Sequence, residues 1–206
     1  MIFALLVAYI FQGLCKGYLK KLSCDLEHPG RLPDMGHRIF KDTSKSKVHK
    51  YLNEFVPCIQ ILVFIYYTYT SPPILRIYNT FPLDFRLYNW YDTLGVFVYL
   101  QSILMVLRAI TYTVTVLPDS SQVCQFKQWG LTGSCHDLLF SGHVSFTLIP
   151  LVVYLKLSNV YNSVILFIYI FNAMVSSIIV ISMRKHYTID VIFAWICTFY
   201  AGELFI

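Results

Sequence analysis

Two short groups of polar residues interrupt the apolar sequence in the second half of the chain. Ser141-Gly142-His143 begins one apolar stretch, and His186 and Asp190 lie at the start of another. Ionisable groups beside lipid are costly, so they are functional candidates by default. His186 and Asp190 are four residues apart, which places both side chains on one face of a helix. The carboxylate can then accept the Nδ1 proton of the imidazole and leave the Nε2 lone pair facing outward, ready to attack phosphorus.

The other ionisable candidates suit acid–base chemistry and charge neutralisation around such an attack. His143 can protonate the departing oxygen and then remove a proton from an incoming alcohol, which is typically worth about 10²–10⁴-fold in rate. Arg108, with Arg184 or Lys185, can neutralise the charge that develops on the phosphoryl oxygens. No cluster of carboxylates indicates a required metal ion, and we expect neither a cofactor nor a nucleic-acid partner.

Each of these features also has an ordinary structural interpretation. A histidine at a membrane interface more often packs or snorkels than reacts, and a basic pair beside a helix end usually anchors that end in the headgroup layer. The patterns SGH and HxxxD are short and occur often by chance. Their coincidence favours function, because both histidines, Asp190 and Arg108 are predicted at one membrane face.

The composition indicates the scaffold that must position these residues. The chain of 206 residues is 57% hydrophobic and only 13% charged, whereas soluble domains carry about 25% charged residues. Its apolar residues fall in blocks close to the roughly 20 residues that a membrane span needs, and lipid obliges such blocks to be helical. We therefore predict a single all-α membrane domain, a bundle of six transmembrane helices. Their predicted ranges are about 2–19, 55–71, 90–113, 138–157, 163–183 and 187–206.

Six alternating spans divide the connecting segments between two membrane faces. One face holds the segments 20–54, 114–137 and 184–186. The other holds the termini and the segments 72–89 and 158–162. His143, His186 and Arg108 all lie at span ends on the first face, so counting the spans is enough to bring them to the same side.

Four motifs resemble one family of membrane enzymes. Residues 135–143, CHDLLFSGH, resemble the CGD-x3-SGH motif of the sphingomyelin synthase branch of the type 2 phosphatidic acid phosphatase (PAP2) superfamily. Residues 186–190, HYTID, resemble its HYTVD motif, and residues 108–118, RAITYTVTVLP, resemble its R-x-IT-x-x-VT-x-LP segment. Residues 32–34, LPD, resemble its LPD motif. The four motifs occur in the family's order.

The resemblance implies a PAP2-like fold of six helices and a phosphotransferase activity. A glycerophospholipid donor, with phosphatidylcholine as the first candidate, would give its phospho-headgroup to ceramide and release diacylglycerol. In the family, the histidine that matches His186 is the nucleophile and the aspartate that matches Asp190 orients it. The histidine that matches His143 completes the triad. The residues expected to bind the substrate phosphate are Arg108, Asp137, Ser141, Gly142 and Arg184.

The headgroup and the acceptor leave alternatives open. Residues 182–186 are more similar to plant and protist sphingolipid synthases, which use other headgroups, so inositol-phosphoceramide or ceramide-phosphoethanolamine synthesis is an alternative reaction. A lipid phosphate phosphatase is another, because the same triad serves when water attacks and only the exclusion of water separates the two. The intact triad disfavours a catalytically silent lipid-binding or scaffolding protein. The clustering of polar groups at one face, away from the midplane, disfavours a transporter.

Two criteria disagree on the side of the membrane to which the site faces. Most Lys and Arg residues fall on its face, which by the positive-inside rule places it in the cytosol. The resemblance implies a lumenal or exoplasmic site, in the Golgi or plasma membrane. We favour the latter, because a face that handles phosphate has its own reason to be basic. Cys124 and Cys135 share that face, so we predict a disulfide between them in an oxidising compartment.

Overall fold

A computed structural model shows seven helices and one two-stranded sheet among the residues that it describes. These residues are 3, 6–15, 33–70, 74–78, 84–88, 90–114, 140–158 and 162–206, with backbone alone for both strands and for positions 112 and 114. The helices are α1 (Leu6–Cys15), α2 (Met35–Ile39), α3 (Lys47–Thr70), α4 (Trp90–Val114), α5 (Gly142–Leu157), α6 (Ser163–Ser182) and α7 (Thr188–Phe205). The strands are β1 (Ile74–Tyr78) and β2 (Asp84–Tyr88).

The α5 helix lies at the centre of the bundle and packs against α3, α4, α6 and α7. Its apolar residues occur on every side, which is the pattern of a helix that is buried all round. Leu148 and Ile149 are completely buried, and they share the main apolar core with Leu104 of α4. Because α5 begins at Gly142, its central position fixes the predicted group around His143 at one end of the bundle.

Buried amide side chains join the helices inside this core. Gln60 of α3 donates a hydrogen bond from Nε2 to the carbonyl oxygen of Thr147 in α5 at 2.9 Å. Asn172 of α6 donates from Nδ2 to Gln60 Oε1 at 2.9 Å, and Trp195 of α7 donates from Nε1 to Ser177 Oγ of α6 at 3.0 Å. Hydrogen bonds of this kind average about 0.6 kcal/mol between membrane helices. They set how the helices are rotated against one another as much as how tightly they associate.

Three of the described helices are long and apolar enough to cross a membrane, namely residues Trp90–Thr111 of α4, α6 and α7. The apolar helices α1 and α5 are shorter. With 16 residues, α5 is about 24 Å long at 1.5 Å per residue. These helices indicate a membrane protein, and the described residues support three spans by length and composition where the sequence predicts six.

The helix bounds differ from the predicted segments mainly at two places. The α3 helix begins at Lys47 rather than at residue 55, because residues 47–54 contain no Gly or Pro that would end the helix within the polar segment. The α5 helix begins at Gly142 rather than at residue 138, since the preceding residue, Ser141, is extended, with φ −76° and ψ 105°. The other late helices, α4, α6 and α7, begin and end within a residue of the predicted ranges. Within the first predicted range, about residues 2–19, the structure describes the helix α1 (Leu6–Cys15).

One element departs from the all-α prediction. The strands β1 and β2 form an antiparallel hairpin between α3 and α4, where the sequence analysis expected a loop. Its register pairs Ile74 with Tyr88 and Arg76 with Arg86. Both strands are rich in Ile, Leu, Tyr and Phe, which favour extended structure. The hairpin joins the ends of α3 and α4 that lie away from Gly142.

The end of the bundle away from Gly142 is closed by aromatic and polar contacts. Tyr67 Oη lies 2.5 Å from Ser158 Oγ, and Tyr154 Oη accepts the backbone N–H of Asn162 at 2.6 Å. The rings of Tyr67 and Tyr154 meet edge to face with centroids 4.9 Å apart. Such amphipathic rings suit the headgroup layer, and both predicted histidines lie at the opposite end.

Candidate active site

Asp34 fixes the first residue of α7 through both of its carboxylate oxygens. Its Oδ2 accepts the backbone N–H of Thr188 at 2.8 Å, and its Oδ1 accepts Thr188 Oγ1 at 2.8 Å. Oδ1 also accepts the backbone N–H of His37 at 2.9 Å. Thr188 Oγ1 in turn accepts the backbone N–H of Gly36 at 3.0 Å, and a Cβ at position 36 would lie only 2.3 Å from that oxygen. We call these four residues, Asp34, Gly36, His37 and Thr188, the Asp34 clamp.

The Asp34 clamp also reaches His186. His37 donates from Nε2 to the carbonyl oxygen of His186 at 3.0 Å, since a carbonyl can only accept. The ring of His37 lies against that of Tyr187, with centroids 5.4 Å apart. Burial raises the pKa of Asp34, but the hydrogen bonds from Thr188 and His37 outweigh it, so the pKa lies below its ordinary value. At neutral pH the charged Asp34 carboxylate therefore holds Thr188, while His37 contacts His186 and Tyr187, so the clamp reaches three consecutive residues of the HYTID motif.

His186 and Asp190 are in contact across the first turn of α7. His186 Nδ1 lies 3.3 Å from Asp190 Oδ2, and the same oxygen accepts the backbone N–H of Tyr187 at 2.8 Å. Asp190 is completely buried, and His186 is 6% exposed. Because a carboxylate only accepts, the contact places the proton of a neutral imidazole on Nδ1 and leaves the lone pair on Nε2.

The side chain of Arg184, predicted to bind phosphate, instead contacts the 37–42 segment. Its backbone is left-handed, with φ 56°, a conformation that is uncommon for a residue other than glycine. Its Nη2 donates to the carbonyl oxygens of His37 at 2.6 Å and Phe40 at 3.0 Å, and its Nε lies 3.9 Å from Asp42 Oδ2. The guanidinium thus ties the 37–42 segment to the turn between α6 and α7, and the geometry does not support a phosphate contact.

A cavity of about 270 Å³ lies beside the start of α5, among α1, α3, α4 and α5. Its lining residues are Tyr9, Glu54, Pro57, Cys58, Gln101, Met105, Arg108, Gly142, His143 and Phe146. Three of the predicted site residues, Arg108, Gly142 and His143, therefore share one space.

Arg108 lies directly against the backbone of Gly142. A Cβ at position 142 would lie 2.2 Å from Arg108 Nη1 and 2.8 Å from its Cζ, so the close approach requires glycine. The N-terminus of α5 has no side-chain cap from Ser141, and helix N-termini attract anions through their free N–H groups. The guanidinium and this helix end together favour a phosphate beside Gly142.

Glu54 is a site residue that the sequence analysis missed. Its Oε1 lies 3.5 Å from His143 Nε2 and 3.6 Å from Lys185 Nζ, and it accepts Asn53 Nδ2 at 3.0 Å. Burial lowers the pKa of Lys185, and Glu54 opposes that shift. The carboxylate therefore connects the cavity with the turn that carries His186. An acid immediately before the predicted 55–71 span was the signal that could have identified it.

Ser141 joins the two histidine motifs. Its backbone N–H donates to the carbonyl oxygen of Asp190 at 3.4 Å, so the start of α5 meets the first turn of α7. Its Oγ is buried and has no hydrogen-bond partner among the described residues. His143 lines the cavity, whereas His186 lies in the adjoining turn.

Three of the predicted positions fall outside the residues that the structure describes. They are Asp137, expected to bind phosphate, and Cys124 and Cys135, expected to form a disulfide. Within the described ranges, no group of three His, Cys, Asp or Glu side chains is placed to hold a metal ion.

Comparison with known families finds one match, in the second half of the chain. The sequence model described as PAP2 superfamily C-terminal matches residues 134–202. That range contains His143, His186 and Asp190, together with the helices α5 and α6 and most of α7. This part of the chain is therefore similar to the C-terminal part of the PAP2 superfamily.

The curated relatives are plant proteins. Phosphatidylinositol:ceramide inositolphosphotransferase 2 of Arabidopsis thaliana is 28% identical over 214 residues, which cover 91% of this chain and 65% of the relative. Phosphatidylinositol:ceramide inositolphosphotransferase 3 of the same plant is 31% identical over 121 residues, covering 48% and 40%. The inositolphosphotransferase of Oryza sativa subsp. indica is 36% identical over 66 residues, covering 32% and 20%. The chain spans less than two thirds of the length of these relatives, and no solved structure matches it.

The PAP2 match and these relatives agree with the resemblance of the motifs to the sphingolipid synthase family. Their names specify phosphoinositol, not phosphocholine. The prediction of a phosphatidylcholine donor and a sphingomyelin synthase reaction is therefore not supported, and the inositol alternative fits better. The Golgi or plasma-membrane location and the lumenal site stay predictions.

Proposed function

We propose that this protein transfers phosphoinositol from phosphatidylinositol to the primary hydroxyl of ceramide and releases diacylglycerol. The observation that carries the proposal is the contact of 3.3 Å between His186 and Asp190, next to a cavity that holds His143 and Arg108. The choice of phosphoinositol as headgroup and ceramide as acceptor rests on the relatives that are named for the same transfer.

The first half of the proposed reaction moves the headgroup onto the protein. His186 Nε2 attacks the phosphorus of phosphatidylinositol, and the bond from phosphorus to the glycerol oxygen breaks. His143 gives its proton to that oxygen, so diacylglycerol leaves as a neutral alcohol. Asp190 stabilises the positive charge on the His186 ring, as a buried carboxylate does in a nucleophile–base pair.

The second half of the reaction passes the headgroup to ceramide. His143, now neutral, removes the proton of the ceramide hydroxyl, and the hydroxyl oxygen attacks phosphorus. The bond between His186 Nε2 and phosphorus breaks, which restores the free histidine and leaves His143 protonated for the next cycle. Glu54, at 3.5 Å from His143, stabilises the protonated ring between the two halves.

Charge on the phosphoryl oxygens requires stabilisation in both halves of the reaction. Arg108 and the N–H groups at the start of α5 meet beside Gly142, where they can bind these oxygens. Removal of one such preorganised donor typically costs about 10²–10³-fold in rate. Arg184 and the Asp34 clamp do not bind the phosphoryl oxygens. They hold the backbone that carries His186.

Purified protein in liposomes tests this proposal with labelled ceramide and one donor at a time. We expect labelled inositol phosphoceramide and an equal amount of diacylglycerol with phosphatidylinositol, and no ceramide product with phosphatidylcholine or phosphatidylethanolamine. Liposomes without ceramide are the control for hydrolysis. A ceramide product from phosphatidylcholine alone would contradict the choice of headgroup. Free inositol phosphate without a ceramide product would show that water attacks in place of ceramide, which would make the protein a hydrolase instead.

A further inference from the structure

Gln101 is a polar residue inside α4 that neither the triad nor the phosphate contacts employ. It lines the cavity, is 8% exposed, and its Oε1 is buried without a hydrogen-bond partner among the described residues. The buried amide of Gln60, by contrast, both donates and accepts within the bundle. An unsatisfied amide oxygen inside a protein is costly, and a polar group within a membrane span is a functional candidate. The side chain thus lines the cavity, and its amide oxygen is buried beside it without a partner among the described residues.

The position of Gln101 along α4 indicates which part of a lipid it meets. Gln101, Met105 and Arg108 follow one another at spacings of four and three, so they share one face of the helix. Gln101 lies seven residues deeper in the span than Arg108, or about 10 Å along the helix axis. A lipid with its phosphate at Arg108 directs its headgroup toward water and its chains toward the membrane interior. Gln101 therefore lies at the depth of the linkage region between phosphate and chains, on the side away from the headgroup.

The two substrates differ in hydrogen-bonding chemistry at this depth. A glycerophospholipid, like the diacylglycerol that it releases, carries ester carbonyls there, and esters only accept hydrogen bonds. Ceramide carries an amide N–H on the carbon next to its reacting hydroxymethyl group. Only ceramide can therefore supply a donor to a fixed acceptor such as Gln101 Oε1.

We propose that Gln101 selects the acceptor lipid, by accepting a hydrogen bond from the amide N–H of ceramide through its Oε1. This inference rests on the proposed transfer to ceramide and adds the residue that distinguishes ceramide from diacylglycerol. Sites built to hydrogen-bond a substrate N–H reject analogues that lack it, since the buried partner is then left unpaired. The headgroup is thereby kept from returning to the diacylglycerol just released.

The test compares ceramide with N-methyl ceramide as acceptors for the wild-type protein and Gln101→Met. Methionine preserves the length of the side chain and removes the acceptor oxygen. We expect the wild type to prefer ceramide by about 10-fold in kcat/KM, as one buried hydrogen bond allows. Gln101→Met should use both acceptors at the lower rate, and its release of diacylglycerol in a single turnover without acceptor should be unchanged. Ser102→Ala is the matched control and should retain the preference, because Ser102 Oγ donates within its own helix to the carbonyl oxygen of Val98 at 2.8 Å.

Several outcomes would overturn the inference. An equal preference for ceramide in Gln101→Met and the wild type would do so. Slower release of diacylglycerol with an intact preference would assign Gln101 to the donor instead. If Gln101→Met does not fold, Gln101→Glu is the second variant. It retains an acceptor oxygen and should keep the preference for ceramide. Loss of that preference in folded Gln101→Glu would also contradict the proposal.

Binding without a donor separates this inference from the proposed function. Fluorescent ceramide and its N-methyl analogue are titrated into wild-type protein and Gln101→Met in lipid nanodiscs. Tighter binding of ceramide by about 10-fold, lost in the variant, supports the role of Gln101 even where no donor yields a ceramide product. Equal binding of both analogues to the wild type overturns the role of Gln101, while transfer from phosphatidylinositol would still stand.

Discussion

Replacing Gly142 with alanine tests whether Arg108 must approach the start of α5 as closely as it does. The new Cβ would lie 2.2 Å from Arg108 Nη1, whereas ordinary contact begins at 3.4 Å, so the guanidinium would retreat by about 1.2 Å, the difference 3.4 − 2.2. A misplacement of about 1 Å can cost about 100-fold in rate. We therefore expect kcat/KM to fall about 100-fold, or about 2.7 kcal/mol in transition-state stabilisation. Stability should change little, because the clash meets the end of a flexible side chain and alanine favours a helix.

Initial rates of ceramide transfer and thermal unfolding, measured on the same preparations, separate the effect on chemistry from that on folding. Gly13→Ala is the neutral control, since nothing lies within 4 Å of its new Cβ. Gly202→Ala is the control for a clash far from the site, because its Cβ would lie 2.2 Å from Val152 Cγ1; it should lower Tm and keep the rate per folded molecule. Wild-type kcat/KM in Gly142→Ala, or a Tm loss as large as that of Gly202→Ala, would refute the assignment of Arg108.

Two further predictions concern the Asp34 clamp. Asp34→Asn and Thr188→Val should each slow transfer about 10-fold by loosening the start of α7. The double variant should be little slower than either single variant, since both substitutions remove the same contact. Additive losses in a double-mutant cycle of kcat/KM would argue against this coupling. The stability that Asp34 contributes should also depend on pH. Its pKa is lowered in the folded state, so the contribution is complete above the ordinary pKa of 3.8 and is lost as the pH falls through the lower folded value. The Tm values of the wild type and Asp34→Asn should therefore converge in strong acid, and a gap that stays constant with pH would contradict a charged clamp.

Local spacing was enough to predict contacts between near neighbours in the chain. The four-residue interval from His186 to Asp190 predicts a shared helix face, and their side chains lie 3.3 Å apart. Alternating the spans across a membrane predicts that the segment after Ser182 returns to the face of Ser141. The backbone contact between Ser141 and Asp190 agrees with that count.

Contacts between distant segments could not be predicted in the same way. Asp34 and Thr188 are 154 positions apart, and nothing periodic in the polar 20–54 segment indicates where it packs. In the sequence, Glu54 is an ordinary charged residue before a span. Its role in the site depends on the extension of α3 to Lys47, which includes Glu54 in the helix. Arg184 was predicted to bind phosphate from its charge alone, but its left-handed backbone directs the guanidinium to carbonyl oxygens of the 37–42 segment. Tertiary contacts set the direction of these side chains, so it cannot be predicted from sequence spacing.

The most direct test of the account is the chemical state of His186 during turnover. Wild-type protein is incubated with phosphatidylinositol labelled at phosphorus, without ceramide, and then quenched and digested. We predict label on the peptide that contains His186, as an acid-labile adduct of histidine and phosphoinositol that disappears when ceramide is added before the quench. His186→Asn should carry no label and form no ceramide product, with Ser102→Ala as the control for folding. Label on a different residue, or full transfer by His186→Asn, would contradict the central claim.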